Sequence, residues 1–304
     1  MPAASVPAAS ALAASALAAS ALADSQLARP FLKWAGGKAR LIEQYKPFLP
    51  PCFDRYHEPF LGGGALFFYL SPQLKAEGKK AFLSDLNPEL VNVYQCVRDR
   101  VHPLIKRLAQ HEKDHSKEHY YSVRAQLEAD SVERAARFIY LNKTCFNGLY
   151  RENSKGLFNV PMGRYKKPRI CAPELLLPAS AALQIADISE RPFSEIAKHA
   201  KNEQDFVYFD PPYYPLSETS KFTAYSRYRF GEDKQTELRD LTAAIAAKGA
   251  WVLASNSDCP FIRNLYSDSD VFRIETITAA RSINSKATKR GKITEVLILA
   301  SHLT

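Results

Sequence analysis

Two stretches, RYHEPFLGGGALFFYL (residues 55–70) and KAFLSDLNPELVNVYQCVRD (residues 80–99), follow one plan. A short apolar segment ends in glycines or an acid, and a run with helical apolar spacing comes next. Parallel strands cannot be joined by a tight hairpin, so alternation of this kind predicts an α/β fold built on a parallel sheet. Further strand-like segments stand at Leu183–Ala186, Phe206–Phe209, Ala250–Ser255, Val271–Thr276 and Glu295–Ala300. Between Arg98 and Pro178 the texture changes to charged amphipathic helices and a basic, loop-rich stretch. The expected organisation is one sheet domain made by residues 29–97 and 179–304, interrupted by a mostly helical insertion at 98–178.

Residues 1–28 stand apart as an alanine-rich tract with a five-residue near-repeat. Serines interrupt every apolar run and the first positive charge is Arg29, so neither a secretory signal nor a membrane span is expected. A period of five keeps no single apolar face, which predicts a disordered or weakly helical extension outside the fold.

Charge narrows the partner. The 304-residue chain carries 41 Lys+Arg against 32 Asp+Glu, and the surplus is local: residues 98–169 hold 16 basic and 8 acidic side chains. From Lys143 to Arg169 there are seven basic residues and a single acid, Glu152. A concentrated basic patch predicts a polyanion partner, whereas solubility alone needs no clustering. The five cysteines are widely spaced with no CxxC pair, so reduced cytoplasmic thiols are expected in place of a zinc site or disulfide framework.

The turn FLGGG, Phe60 to Gly64, lets a ligand approach the backbone, with a helix N-terminus behind it. Asp85 ends the next strand about 20 residues on, the interval at which an acid takes ribose hydroxyls. Phe60, Gly62, Gly64 and Asp85 are therefore candidate contacts for a nucleoside-bearing cofactor; a structural turn with Asp85 as a helix cap is the plain alternative. WAGGKAR lacks both the first glycine of a phosphate-binding loop and the Ser/Thr after Lys38, which disfavours an ATPase. A nicotinamide dehydrogenase would use the same glycine turn but leaves the next motif unexplained.

That motif is DFVYFDPPYYP, residues 205–215. Four apolar residues read as a buried strand, and the prolines end it because they lack an N–H and fix φ. An unpaired carboxylate at such an exit is too costly to be there for packing. The exocyclic amino group of adenine is a poor nucleophile, and two hydrogen-bond acceptors would favour the tetrahedral nitrogen that attacks an electrophile. Asp210 and the carbonyl of Pro211 are such acceptors, held by Pro211 and Pro212, and Tyr213 can stack on an extruded base. This chemistry requires no metal. The glycine turn and Asp210 are expected on neighbouring strands at the carboxyl edge of the sheet.

With these residues in place, the chain resembles the Dam-type DNA adenine-N6 methyltransferases (class alpha, D12 family). The resemblance runs from about Phe31 to Ala300 through FLKWAGGK, EPFLGGGALF, LSDLNPELVNVY, FNGLYREN, FNVPMGRYKKP, YFDPPYYPLS, FTAY and RSINS, in the family's order. It implies a Rossmann-like, S-adenosylmethionine-dependent methyltransferase sheet and a helical DNA-recognition insertion. Trp34 and Lys38 would meet the cofactor's methionine end, Asp85 its ribose, and Asp187 and Ile188 its adenine. Asp210 would border both cofactor and target base. Phe146 would wedge into the duplex beside the extruded adenine, with Asn147 and Leu149 lining the step. Arg151 would read a guanine, in keeping with arginine's bidentate fit to that base. Pro161 and Tyr165 would touch bases or backbone nearby, Lys33 another guanine, and Arg281 and Asn284 phosphates. The implied partner is double-stranded DNA containing GATC, acted on by a cytoplasmic, nucleoid-associated monomer. Cys145, Tyr150 and Met162 depart from the family's pattern around the wedge. An RNA or protein-glutamine methyltransferase is the nearest alternative, although glutamine enzymes carry asparagine where Asp210 stands. A DNA-binding module without activity would have no use for Asp210, Pro212 or Gly62.

Overall fold

In the computed structural model, which describes residues 27–34, 36–127, 130–153, 155–216, 230–280 and 292–301, seven strands form one sheet. They are β1 (Arg55–Glu58), β2 (Lys80–Asp85), β3 (Ala186–Glu190), β4 (Asp205–Phe209), β5 (Trp251–Ser257), β6 (Arg273–Ala280) and β7 (Lys292–Ala300). Their spatial order is β3-β2-β1-β4-β5-β7-β6. Strands β1 to β5 pair in parallel, and β7 runs antiparallel between β5 and β6. This is the doubly wound, Rossmann-like sheet expected above. The winding reverses between β1 and β4, which makes their carboxyl ends the switch point where such sheets open a ligand crevice.

The sheet divides two cores, and strand alternation decides which residue enters which. Phe206, Tyr208, Leu253, Leu297 and Leu299 face one core; Val207, Phe209, Val252, Ala254, Val296 and Ile298 face the other. All five residues of β4 are buried: the apolar run Phe206–Phe209, as a strand covered on both faces requires, and Asp205 before it. Helix α1 (Ala65–Ala76) follows the glycine turn, and α2 (Pro88–Asp99) follows β2. The segment between α2 and β3 supplies α3 (Val101–Lys113), α4 (Lys117–Ala125) and α5 (Ser131–Thr144). Leu104, Leu108, Tyr120 and Ile139 from these helices belong to the same core as Tyr56 and Leu83 of the sheet.

Two strand expectations need correction. Leu183 is the last residue of helix α6 (Pro173–Leu183), and the strand is Ala186–Glu190. The apolar string LQIA looked like a strand centre, but Leu176, Ala179 and Leu183 keep helical spacing and share one buried face. Pro178, the expected end of the insertion, lies inside this helix. The strand placed at Val271–Thr276 instead spans Arg273–Ala280. The amides of Val271 and Phe272 both bond to the carbonyl of Asp268, so a turn occupies them before the ladder begins. Of the alanine-rich extension, residues 1–26 lie outside the described residues.

Candidate active site

Two backbone conformations shape the turn after β1. Gly62 and Gly64 have φ of +46° and +63°, a region costly for residues with a Cβ. At Gly62 a Cβ would also come within 2.9 Å of the Trp34 ring, so only glycine lets that indole lie over the turn. Trp34 is held there by stacking on Phe138 and Tyr150, at centroid distances of 6.3 and 5.9 Å. Asp85 closes the turn from β2: one carboxylate oxygen accepts the Gly62 N–H at 3.1 Å and the other the Asn87 N–H at 3.0 Å. Burial raises its pKa, and these backbone bonds pull against the rise. The α2 cap is Asn87, whose side chain accepts from the amides of Glu89 and Leu90, so capping does not explain Asp85.

Phe60, Asp187 and Ile188 sit further from this rim. Phe60 stacks on Phe193 at 5.3 Å and meets the edges of Phe209 and Phe230 in the second core. Asp187 and Ile188 pair with Phe82 and Leu83, so they precede the register of Asp85 with Glu190. Asp187 is exposed, while Ile188 is buried and its carbonyl accepts from the Gln95 side chain at 2.9 Å.

One strand away, Asp210 follows the last residue of β4. Ser255 Oγ donates to its Oδ1 at 2.8 Å, and Lys38 Nζ lies 3.2 Å from the same oxygen. Lys38, only 3% exposed, also stands 4.2 Å over the Tyr213 ring and 3.7 Å from Glu295. Tyr213 donates its hydroxyl to Glu295 Oε2 at 2.7 Å. Burial raises the Asp210 carboxyl above the usual carboxylate range, and the nearby Lys38 charge opposes the shift. Pro211 is buried, and Pro212 is exposed with its carbonyl accepting from Gln235 Nε2 at 3.1 Å. Asn256 then donates to Gln235 Oε1 at 2.9 Å while accepting the Tyr214 N–H at 3.1 Å. The double-proline turn is thus bolted to β5 and to the helix that begins at Glu232.

Ser255, Gln235, Asn256 and Glu295 are absent from the sequence expectations. For Ser255 and Asn256 the one local signal is the polar run SNS closing the apolar strand WVLA, which ordinary strand reading treats as an exit; Gln235 and Glu295 have none. Glu58, inside EPFLGGG, is likewise absent from the sequence expectations. It is buried, accepts from Tyr56 Oη and the Phe67 N–H, and burial pushes its carboxyl up to about 8.

A second cluster lies after helix α5. Asn142 ties it to the chain's start: its amide nitrogen donates to the Lys33 carbonyl at 2.7 Å and its oxygen accepts the Lys33 N–H at 2.8 Å. Phe146, 49% exposed, opens a single helical turn whose amide bonds to the Pro161 carbonyl at 2.9 Å. Asn147 has φ of +55°, which asparagine tolerates better than most residues with a Cβ. Leu149 is exposed beside it. Lys33 Nζ lies 4.0 Å over the Tyr165 ring. Lys33, Phe146, Pro161 and Tyr165 therefore converge, while Arg151 bonds to Asn159 Oδ1 at 2.7 Å across a small exposed hairpin. Arg281 and Asn284 lie outside the described residues, as do FTAY and RSINS.

The sequence pattern of D12 class N6 adenine-specific DNA methyltransferases matches residues 34–283. The chain belongs to that family. It is 43% identical to the type II methyltransferase M1.LlaDCHI of Lactococcus lactis subsp. cremoris, covering 89% of this chain and 94% of the relative. Identity to the type II methyltransferase M.MjaIII of Methanocaldococcus jannaschii is 41%, over 89% of this chain and 98% of that protein. The DNA adenine methylase of Escherichia coli K12 is 34% identical over 89% and 95% of the two chains. Membership makes this a DNA adenine-N6 methyltransferase and implies S-adenosylmethionine as methyl donor. Among the described residues, no helix is long and apolar enough to cross a membrane.

Proposed function

We propose that the chain methylates the adenine of GATC in duplex DNA after turning that base out of the helix. Asp210 carries this reading: it is a carboxylate at the switch point, one strand from the glycine turn, beside a tyrosine ring and bolted to β5 by Ser255. The cradle fits a nucleoside cofactor. A Cβ at Gly62 would collide with Trp34, and the Asp85 carboxylate, which accepts from the Gly62, Leu86 and Asn87 amides, keeps a lone pair for a ribose hydroxyl. Trp34, Lys38, Asp85, Asp187 and Ile188 would hold S-adenosylmethionine, with Phe60, Gly62 and Gly64 shaping its bed. When bound, it supplies a methyl group on a cationic sulfur that leaves with the bonding pair.

The protein's own part is positioning and charge. Asp210 and the Pro211 carbonyl each accept a hydrogen from the adenine amino group, which draws the nitrogen lone pair out of conjugation. Pro212 and its Gln235 bond keep those acceptors from swinging away. Tyr213 offers its ring face to the base. Positive charge developing on nitrogen is stabilised by the carboxylate, a contribution of about 3 kcal/mol for one well-placed group, and the methylated nitrogen then releases one proton to solvent. On the insertion, Phe146 enters the gap left by the base, Asn147 and Leu149 line it, and Arg151 and Lys33 read guanines. Pro161 and Tyr165 fit against the neighbouring bases or backbone, and Arg281 and Asn284 take phosphates. One copy of the chain suffices, because one base is turned out per event; the setting is the cytoplasm, on nucleoid DNA.

Labelled-methyl transfer to GATC duplexes and to every single-base variant tests this reading. Modified adenine confined to GATC is the expected product, and adenine modified elsewhere would replace the assigned specificity. Arg151→Ala should lose roughly 1–3 kcal/mol of discrimination at one base pair. An equal loss on every duplex, with a shallower salt dependence, would make Arg151 a phosphate contact.

A further inference from the structure

Glu295 belongs to no motif, yet it touches the groups assigned to the target base. It is placed by β7, opposite Ser257 of β5 and Ile277 of β6, and its side chain is 13% exposed. An acid this enclosed needs partners, because removing a carboxylate from water is expensive. The partners it has are Tyr213 Oη at 2.7 Å and Lys38 Nζ at 3.7 Å. Lys38 is at the same time 3.2 Å from Asp210 and 4.2 Å over the Tyr213 ring. One buried cation thus stands between two carboxylates, and one of them is the acceptor assigned to adenine.

We infer that Glu295 is a positioning residue for methyl transfer, fixing the Tyr213 ring and sharing Lys38 with Asp210 so that the Asp210 carboxylate is free to accept the adenine amino group. The inference rests on the role proposed for Asp210 and Tyr213. Without the Glu295 charge, Lys38 has Asp210 as its sole ionic partner in this cluster and holds Oδ1, the oxygen that Ser255 already occupies. The Asp210 carboxylate is then more fully neutralised by Lys38 and becomes a weaker acceptor for the incoming amino group. Without the Glu295 acceptor, the Tyr213 hydroxyl loses its anchor, and the ring loses its fixed plane.

The test is steady-state methylation of a GATC duplex by the full chain at saturating cofactor, with Glu295→Gln, Tyr213→Phe and the double variant. Glu295→Gln should lower kcat about tenfold to a hundredfold, while affinity for S-adenosylhomocysteine changes less than about threefold and thermal unfolding is unaltered. With 2-aminopurine in place of the target adenine, Tyr213→Phe should give brighter complexes than the native chain, since a loosely held ring quenches the extruded base less, and Glu295→Gln, whose neutral amide oxygen is a weaker acceptor, should give a smaller rise. The double variant should lose much less than the product of the single losses, as expected for residues joined by one bond. Unchanged kcat and unchanged fluorescence in Glu295→Gln would overturn the inference, as would a loss fully explained by weaker cofactor binding. If Glu295→Gln does not fold, Tyr213→Phe alone decides through the same fluorescence. Should Asp210→Ala stay active, the reading of the whole site fails; should only Glu295→Gln behave as native, this inference alone fails.

Discussion

Strand β4 begins with one aspartate and is followed by another, and the two live in opposite circumstances. Asp205, at the amino end, is fully buried and fully partnered: Arg55 donates to both oxygens at 2.7 and 2.9 Å, and His57 Nε2 lies 2.7 Å from Oδ1. The amides of Lys201 and Asn202 complete the set at 2.8 and 3.2 Å. Burial would raise its pKa, but the His57 and Arg55 bonds overcome that and hold it below the usual range. Asp210, just past the carboxyl end, has one serine hydroxyl and a share in one lysine, and burial dominates. The same side chain, five positions apart, is fully satisfied at one edge and only partly satisfied at the other. The number of partners separates the two carboxylates; burial alone does not.

The largest effect expected from breaking this contrast is on folding. Asp205→Ala leaves Arg55 and a buried His57 without their anion, which costs about 3–5 kcal/mol. Urea unfolding should show it as a lowered midpoint, while kcat per folded molecule stays native. A parallel fall in kcat would mean that the two edges are coupled. Asp210→Ala reverses the pattern: kcat for methyl transfer should drop more than a hundredfold, about 3 kcal/mol, with a near-native urea midpoint. Native turnover in that variant would remove Asp210 from the chemistry.

Acid sharpens the comparison with a smaller effect. A depressed folded pKa means that Asp205 contributes its stability fully above the unfolded value of about 3.9, and loses it as pH falls through the folded value. For Asp210 the sign is opposite. Its raised folded pKa makes ionisation a cost at neutral pH, and that cost disappears as pH falls through the folded value. The stability gap between the native chain and Asp205→Asn should therefore be widest at neutral pH and narrow below about pH 4. A gap that persists undiminished at pH 3 would show that something other than the Asp205 charge holds that edge.

Much of the site was legible because its signals are local. Two prolines after a buried run announce a strand exit, three glycines before a helix announce a turn, and Asp85 needs only its distance from them. The basic stretch around Phe146 was legible from composition. The strand at Ala186–Glu190 was not, because five residues with one partly polar face compete with the helical spacing that runs through Leu183. Asn142 was hidden too, since its bonds to Lys33 join residues 109 apart.

The sequence by itself determined the sheet class, the family, and the side chains that meet the reacting groups in the proposed reaction, all of which follow from short-range pattern and turn chemistry. Only the tertiary structure decided which carboxylate is satisfied and which is left partly free. Asp205 finds Arg55 and His57 through the parallel register of β1 with β4. Asp210 finds Ser255 on β5, and Tyr213 finds Glu295 across 82 residues because β7 inserts antiparallel beside that strand. Sheet register is set by long-range pairing and side-chain alternation, so no local stretch of this chain encodes those partners.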